Sequence, residues 1–268
     1  MSEIILEVQH LTKEFTLPNK EILTACDNIS FTMEKGQTIG IVGESGSGKS
    51  TLVKMLMLME PPTQGEIIYR GENILSYNKK AIWQLRPQIQ MVFQAPMASI
   101  NPKMKVIDVV TEPLFNYKKL KPKDKRAKAI ELLAMVEMTE EYLDRYAHNL
   151  SGGQCQRVSI ARALALEPEL LICDEATSAL DVSVQKSIVD LLVKLQKQIN
   201  MSLLFISHDL ALVQSFAHEI LVMQKGLVVD RLSSSETFSA SQVAYTQDLL
   251  NSVYSLAKVR QQLKTATT

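Results

Sequence analysis

The chain has 268 residues, 46% hydrophobic and 22% charged, with 29 basic and 29 acidic side chains that cancel to zero. That composition excludes a disordered, collagen-like or disulfide-scaffold protein, and a zero balance offers no broad surface for nucleic acid. The length fits one large domain or two small ones, enough to bury a sizeable core.

Short apolar runs bounded by turn residues alternate with helical patterns, which predicts an α/β fold with a largely parallel sheet. Ile4 to Val8 reads as a first strand. Ile29, Phe31 and Met33 alternate with polar neighbours in a second, and Gly36 turns the chain into a third from Thr38 to Val42. A glycine-rich loop follows, then a helix from Ser50 to Met59 ended by Pro61-Pro62. Gly65 to Tyr69 and Ile89 to Phe93 are further strands. Between about 96 and 150, prolines at 96, 102, 113 and 122 change the character of the chain, and a helical run spans Lys123 to Val136. This block has few strand signals and reads as a separate helical subdomain. A helix from Gly153 to about Leu166, a strand from Leu170 to Cys173, a helix from Val182 to Ile199 and a strand from Ser202 to Ile206 come next. Ile220 to Met223 and Leu227 to Val229 pair as a hairpin across Gly226, and the tail is helical from Gln242.

Three cysteines (Cys26, Cys155, Cys173) make an odd count without CxxC spacing, inside apolar stretches, so they read as reduced core thiols. No apolar run reaches the roughly 18–20 residues of a membrane helix. The opening MSEIILEVQH lacks the pattern of a secretory signal, so a soluble protein is expected.

Gly43-Glu44-Ser45-Gly46-Ser47-Gly48-Lys49-Ser50-Thr51 fits GxxxxGK[ST] and lies between a predicted strand and a predicted helix, the context that gives such a motif its meaning. Its glycines let backbone N–H groups turn inward around phosphates, and the helix start adds positive potential. Lys49 would reach the β- and γ-phosphates, and the Ser50 hydroxyl would bind Mg²⁺. A flexible Gly/Ser turn ahead of a helix is the plainer alternative.

The apolar strand Leu170-Leu171-Ile172-Cys173 ends in Asp174-Glu175, and carboxylates at the C-terminal edge of a parallel sheet face the ligand crevice. Asp174 would hold the Mg²⁺ of a bound nucleotide and Glu175 would polarise the water that attacks the γ-phosphate. Alone, the pair could equally be surface residues at the start of the next helix. Leu150-Ser151-Gly152-Gly153-Gln154 opens another predicted helix, so it is either a second anion-binding end or simply an N-cap serine with two turn glycines.

The order of phosphate loop, LSGGQ and DEATSALD (Asp174 to Asp181) resembles that of ATP-binding cassette (ABC) ATPases, from about residue 4 to 231. The resemblance implies a P-loop NTPase core, an N-terminal antiparallel β-subdomain and an inserted helical subdomain. It divides the chain into core at 1–95 and 158–231, helical subdomain at 96–157 and a C-terminal extension at 232–268. It implies ATP and Mg²⁺ as ligands and gives further residues a role by matching position. Phe15 would stack on adenine. Gln94 would touch Mg²⁺ and sense the γ-phosphate. Ser151, Gly152, Gly153 and Gln154 would contact the nucleotide of a partner subunit. Asp181 would link the two sites, and His208 would be the switch histidine at the γ-phosphate. ATP would then join two subunits and its hydrolysis would part them.

Val92-Phe93-Gln94-Ala95-Pro96-Met97-Ala98-Ser99-Ile100-Asn101-Pro102 is similar to the FQDPxxSLNP stretch of the oligopeptide, dipeptide and nickel import subfamily, with Ala95 in place of Asp. Ala244-Tyr245-Thr246-Gln247-Asp248-Leu249-Leu250 is similar to its PYTxxLL segment, with Ala244 in place of Pro. This implies an importer ATPase at the cytoplasmic face of the membrane. Its partners would be a second ATPase subunit (a non-identical companion, or a second copy), two permeases docked on the helical block, and an extracytoplasmic solute-binding protein. Nucleic acid is not an expected partner. No Cys follows Cys173, so no C-terminal iron–sulfur cluster is expected. Peptide, dipeptide, nickel or a metal chelate remain open as cargo, and a soluble cassette acting on ribosomes or DNA is the alternative class.

Overall fold

The computed structural model describes residues 3–178, 180–233 and 241–251. In chain order, β1 (Ile4–Thr16) and β2 (Ile22–Glu34) precede β3 (Thr38–Val42), which leads into α1 (Lys49–Leu56). Then come β4 (Gln64–Tyr69), β5 (Glu72–Asn73), α2 (Lys79–Leu85), β6 (Ile89–Val92), α3 (Pro96–Ser99), α4 (Val106–Asn116) and α5 (Lys125–Met135). The chain continues through α6 (Gly152–Leu164), β7 (Leu170–Asp174), α7 (Val182–Ile199), β8 (Ser202–Ser207), α8 (Leu210–Gln214), β9 (Glu219–Gln224) and β10 (Leu227–Ser233). Residues 244–251 are helical, and the rest of the expected helical tail lies outside the described residues.

The described chain forms two compact units. One, the phosphate-loop unit, comprises Glu3–Met33, Gln37–Leu75 and the chain from Phe205. Its antiparallel strands follow the order β2–β1–β4–β5, and β3 runs parallel to β9 with Ile39 opposite Glu219 and Val42 opposite Val222. The alternation read from Ile29, Phe31 and Met33 holds, but it changes phase upstream, where Cys26 is buried and Asp27 and Asn28 are exposed. Asn28, at φ +52, stands at that change of phase, tied by its own N–H to Thr12 Oγ1. Between Gln9 and Thr12 of β1 the register with β4 also shifts, and a Cβ on Gly65 would stand 2.5 Å from the His10 carbonyl oxygen. Only glycine permits that approach.

The other, the signature unit, comprises Glu34–Gly36 and Ser76–Leu204. Here β6 and β7 pair in parallel, Ile89 opposite Leu170 and Val92 opposite Cys173. Helices α4, α5 and α6 pack on one another, burying Val109, Val110, Leu132, Leu133, Val158 and Ala161. Pro113, one of the four prolines that change the character of this block, lies inside α4. Its missing N–H leaves the carbonyl four residues back without a helical donor, a cost the buried apolar face of α4 offsets. On α7, Ile188, Val189, Leu191, Leu192 and Leu195 form the buried stripe, and Asn200 ends the helix at φ +51. Parallel strands, an antiparallel N-terminal sheet and flanking helices make this the expected α/β fold.

Candidate nucleotide site

In the phosphate-loop unit, the chain leaves β3 at Gly43 and re-enters regular structure at Lys49, the first residue of α1. Gly43 lies at φ +155, and a Cβ there would stand 2.1 Å from the Met223 carbonyl oxygen of β9. Gly48, at φ +103, would bring a Cβ to 2.3 Å from the Ala25 carbonyl oxygen of β2. The Gly226 N–H in the hairpin turn donates to Ser47 O at 3.0 Å. Two neighbouring elements therefore dictate the glycines from outside, and the loop is held in a rigid curve.

Inside that curve lies the Lys49 side chain, with the residue only 4% exposed. Its Nζ donates to the carbonyls of Gly43 and Glu44, each at 2.7 Å, and to Ser47 Oγ at 3.2 Å. A buried ammonium needs such partners. Ser45 and Gly46 stay exposed on the rim beside it, and Ser50 is exposed and Thr51 half-buried at the start of α1. A buried cation, exposed loop backbone and a helix start suit a polyanion. His208 follows β8 in the same unit and is exposed, while the next residue, Asp209, caps α8 by accepting from the Leu212 N–H at 3.0 Å. Phe15 near the end of β1 is half-buried with the Lys13 ammonium 4.8 Å from its ring centroid.

In the signature unit, β7 delivers Asp174 and Glu175 at its C-terminal end, both half-buried. Glu175 adopts φ +45, a conformation L-residues avoid, and its carbonyl accepts from the Ser178 N–H and hydroxyl, each at 3.0 Å. Gln94, just past β6, donates from Nε2 to Glu175 Oε2 at 2.8 Å. Two residues picked out separately in the sequence are thus brought together.

Ser151 and Gln154 form a reciprocal capping box at the start of α6: Gln154 N–H donates to Ser151 Oγ at 3.3 Å and Ser151 N–H to Gln154 Oε1 at 3.0 Å. Gly152 and Gly153 bring α6 against Leu180 and the first turn of α7, where a Cβ on Gly153 would stand 2.7 Å from Val184 Cγ1. Asp181 precedes α7 and is exposed; its side chain makes no capping bond, and its carbonyl accepts from Gln185 N–H at 2.8 Å. Arg157, not singled out in the sequence, ties α6 to Val136 O at 2.6 Å and to Ser187 Oγ at 2.8 Å.

The sequence reading also missed a contact on the phosphate loop itself, the Glu44 N–H donating to Tyr245 Oη at 3.0 Å. With 201 positions between the partners, no local pattern signals it. Cys26, Cys155 and Cys173 are buried and free. Burial pushes the Cys26 thiol up to about 12 and that of Cys155 to about 11.

Residues 26–178 match the family model described as ABC transporter. The dipeptide transport ATP-binding protein DppF of Haemophilus influenzae is 40% identical over 94% of this chain and 77% of its own length. The oligopeptide transport ATP-binding protein OppF of Bacillus subtilis is 41% identical over 94% of this chain and 83% of its own. Among solved structures, a dimeric ATP-binding cassette in a post-hydrolysis state bound to ADP and Pi shares the fold with a TM-score of 0.78 at 28% identity, across 87% of this chain and 100% of that one. Fold and phosphate loop define a P-loop ATPase. The chain belongs to the ABC transporter family, in which it is an ATP-binding and ATP-hydrolysing subunit.

Proposed function

We propose that this chain powers peptide import, as one of two ATPase subunits attached to a pair of membrane permeases at the cytoplasmic face. The observation that carries the ATPase chemistry is the buried Lys49 ammonium, enclosed by the loop that would receive the phosphates. The cargo rests on likeness to ATP-binding proteins named for dipeptide and oligopeptide transport. No helix among the described residues is long and apolar enough to cross a membrane, which suits attachment through permeases.

In this reading the backbone of residues 45–48 turns to bind the phosphates, and Lys49 exchanges carbonyl oxygens for phosphate oxygens. Phe15 packs against the adenine. Ser50, Gln94 and Asp174 are hard oxygen donors of the kind Mg²⁺ takes beside nucleotide phosphates and water. That ion would neutralise phosphate charge. Glu175 accepts the proton of the attacking water, and His208 contacts the γ-phosphate. A second cassette supplies its own Ser151 to Gln154 end, so each site is completed by its partner, with Asp181 between them. Residues 1–95 and 158–231 would then be nucleotide-binding core, 96–157 the permease-facing helical subdomain and 232–268 an appended extension.

The test is reconstitution with the cognate permeases and companion subunit in proteoliposomes that take up labelled peptides. ATP-dependent uptake of di- or oligopeptides supports the proposal. Uptake of nickel without peptide, or hydrolysis indifferent to peptide-loaded binding protein, overturns the cargo assignment.

A further inference from the structure

The C-terminal segment is joined to the phosphate loop within one compact unit. Asp230 of β10 is the latch: its Oδ2 accepts from Ser241 Oγ at 2.6 Å and from Thr246 Oγ1 at 2.7 Å. Gln247 Nε2 donates to the Ser241 carbonyl at 2.7 Å, and Thr246 and Leu250 are buried. That double anchor fixes Tyr245, next to Thr246, with its hydroxyl on the Glu44 N–H.

The Glu44 residue is gripped from two sides. Its N–H donates to Tyr245 Oη at 3.0 Å, and its carbonyl accepts from Lys49 Nζ at 2.7 Å. The preceding Gly43 is pressed against Met223 of β9, the strand paired with β10. Tyr245 therefore holds the loop at Glu44, as the hairpin holds it at Gly43 and Ser47, and it withholds the Glu44 N–H from any bound anion. Burial holds its phenol above the ordinary tyrosine value, so the hydroxyl stays neutral at physiological pH.

We infer that Tyr245 is a positioning residue for the phosphate loop, through which the C-terminal segment sets how tightly this subunit holds ATP. The inference rests on the loop being the ATP site. With the hydroxyl gone, the Gly43–Glu44 peptide is free to turn and Lys49 loses a fixed acceptor. One neutral hydrogen bond corresponds to roughly a fivefold change in an equilibrium constant.

The experiment compares wild type, Tyr245→Phe and Ser241→Ala. Fluorescent-ATP binding is measured on the full chain, and steady-state ATPase activity in the assembled transporter. Tyr245→Phe is expected to raise Kd and KM for ATP about fivefold, with kcat within twofold and an unchanged melting temperature. Ser241→Ala, which loosens the latch, should shift both the same way by less. Wild-type Kd and KM in Tyr245→Phe, or a loss confined to kcat, overturns the inference. Wild-type protein that binds no ATP overturns the site itself, and the positioning role with it.

Discussion

Gln94 Nε2 donates to Glu175 Oε2 at 2.8 Å and reaches Ser178 Oγ at 3.3 Å, so the carboxylate proposed to activate water is already oriented by an amide from the end of the neighbouring strand. The backbone strain of Glu175, at φ +45, is held by a turn whose Ser178 bonds twice to the Glu175 carbonyl. Both features fix the direction of one carboxylate, as a positioned general base requires.

Replacing that carboxylate by its amide keeps the shape and removes the base. Glu175→Gln should bind ATP with near wild-type affinity while turnover falls by about 100-fold or more. Phosphate release and fluorescent-nucleotide binding, measured side by side, check this. Hydrolysis at the wild-type rate would remove Glu175 from its role.

The serine of LSGGQ caps α6 and is proposed to meet a partner's γ-phosphate, two duties that can be separated. Ser151→Ala loses the capping box and should cost about 1 kcal/mol of stability. Ser151→Asp restores a cap but places negative charge where a partner's γ-phosphate is proposed to dock. It should unfold like wild type in urea and yet hydrolyse ATP poorly. Wild-type turnover in Ser151→Asp would leave the serine a cap and nothing more.

Gly153 has a steric reason independent of any ligand, since its added Cβ would meet Val184 Cγ1 at 2.7 Å. Gly153→Ala should destabilise by about 1–3 kcal/mol. Much of that loss should return in the double variant with Val184→Ala. Urea unfolding of the two single variants and the pair gives the coupling directly.

The parts of the fold written in local pattern were legible in the sequence. The helix from Val182 to Ile199 is bounded as its apolar stripe and flanking turn residues predict, and the strand-end carboxylates lie where the run Leu170 to Cys173 puts them. The expected helix from Ser50 to Met59 stops at Leu56 because Leu58 turns to φ +53 and the Met59 N–H reaches back to Lys54 O. That reversal carries no glycine to mark it. No separate helix is read over Val106–Asn116, where Pro113 is a local breaker that the packing of α4 outweighs. Of the site, the motifs were legible but their supports were not. Tyr245 on Glu44, Met223 against Gly43 and Val184 against Gly153 are tertiary contacts without local periodicity.

The buried thiols give a pH signature. Cys26 is raised from 9.0 to about 12, so its burial favours the folded state fully below pH 9, and that contribution is lost as pH climbs toward 12. Alkylation at pH 8 should be slow in the native protein and rapid in urea, as mass spectrometry of the labelled cysteines will read. Fast native labelling of Cys26 would contradict its placement against the Gly48 carbonyl.

The shared-site mechanism is tested most directly by sedimentation of the Glu175→Gln chain with Mg²⁺ and ATP, alone and mixed with its companion ATPase subunit. The mechanism predicts a nucleotide-dependent two-subunit species that ADP does not support. Single-chain sedimentation in both mixtures, with ATP bound, would contradict it.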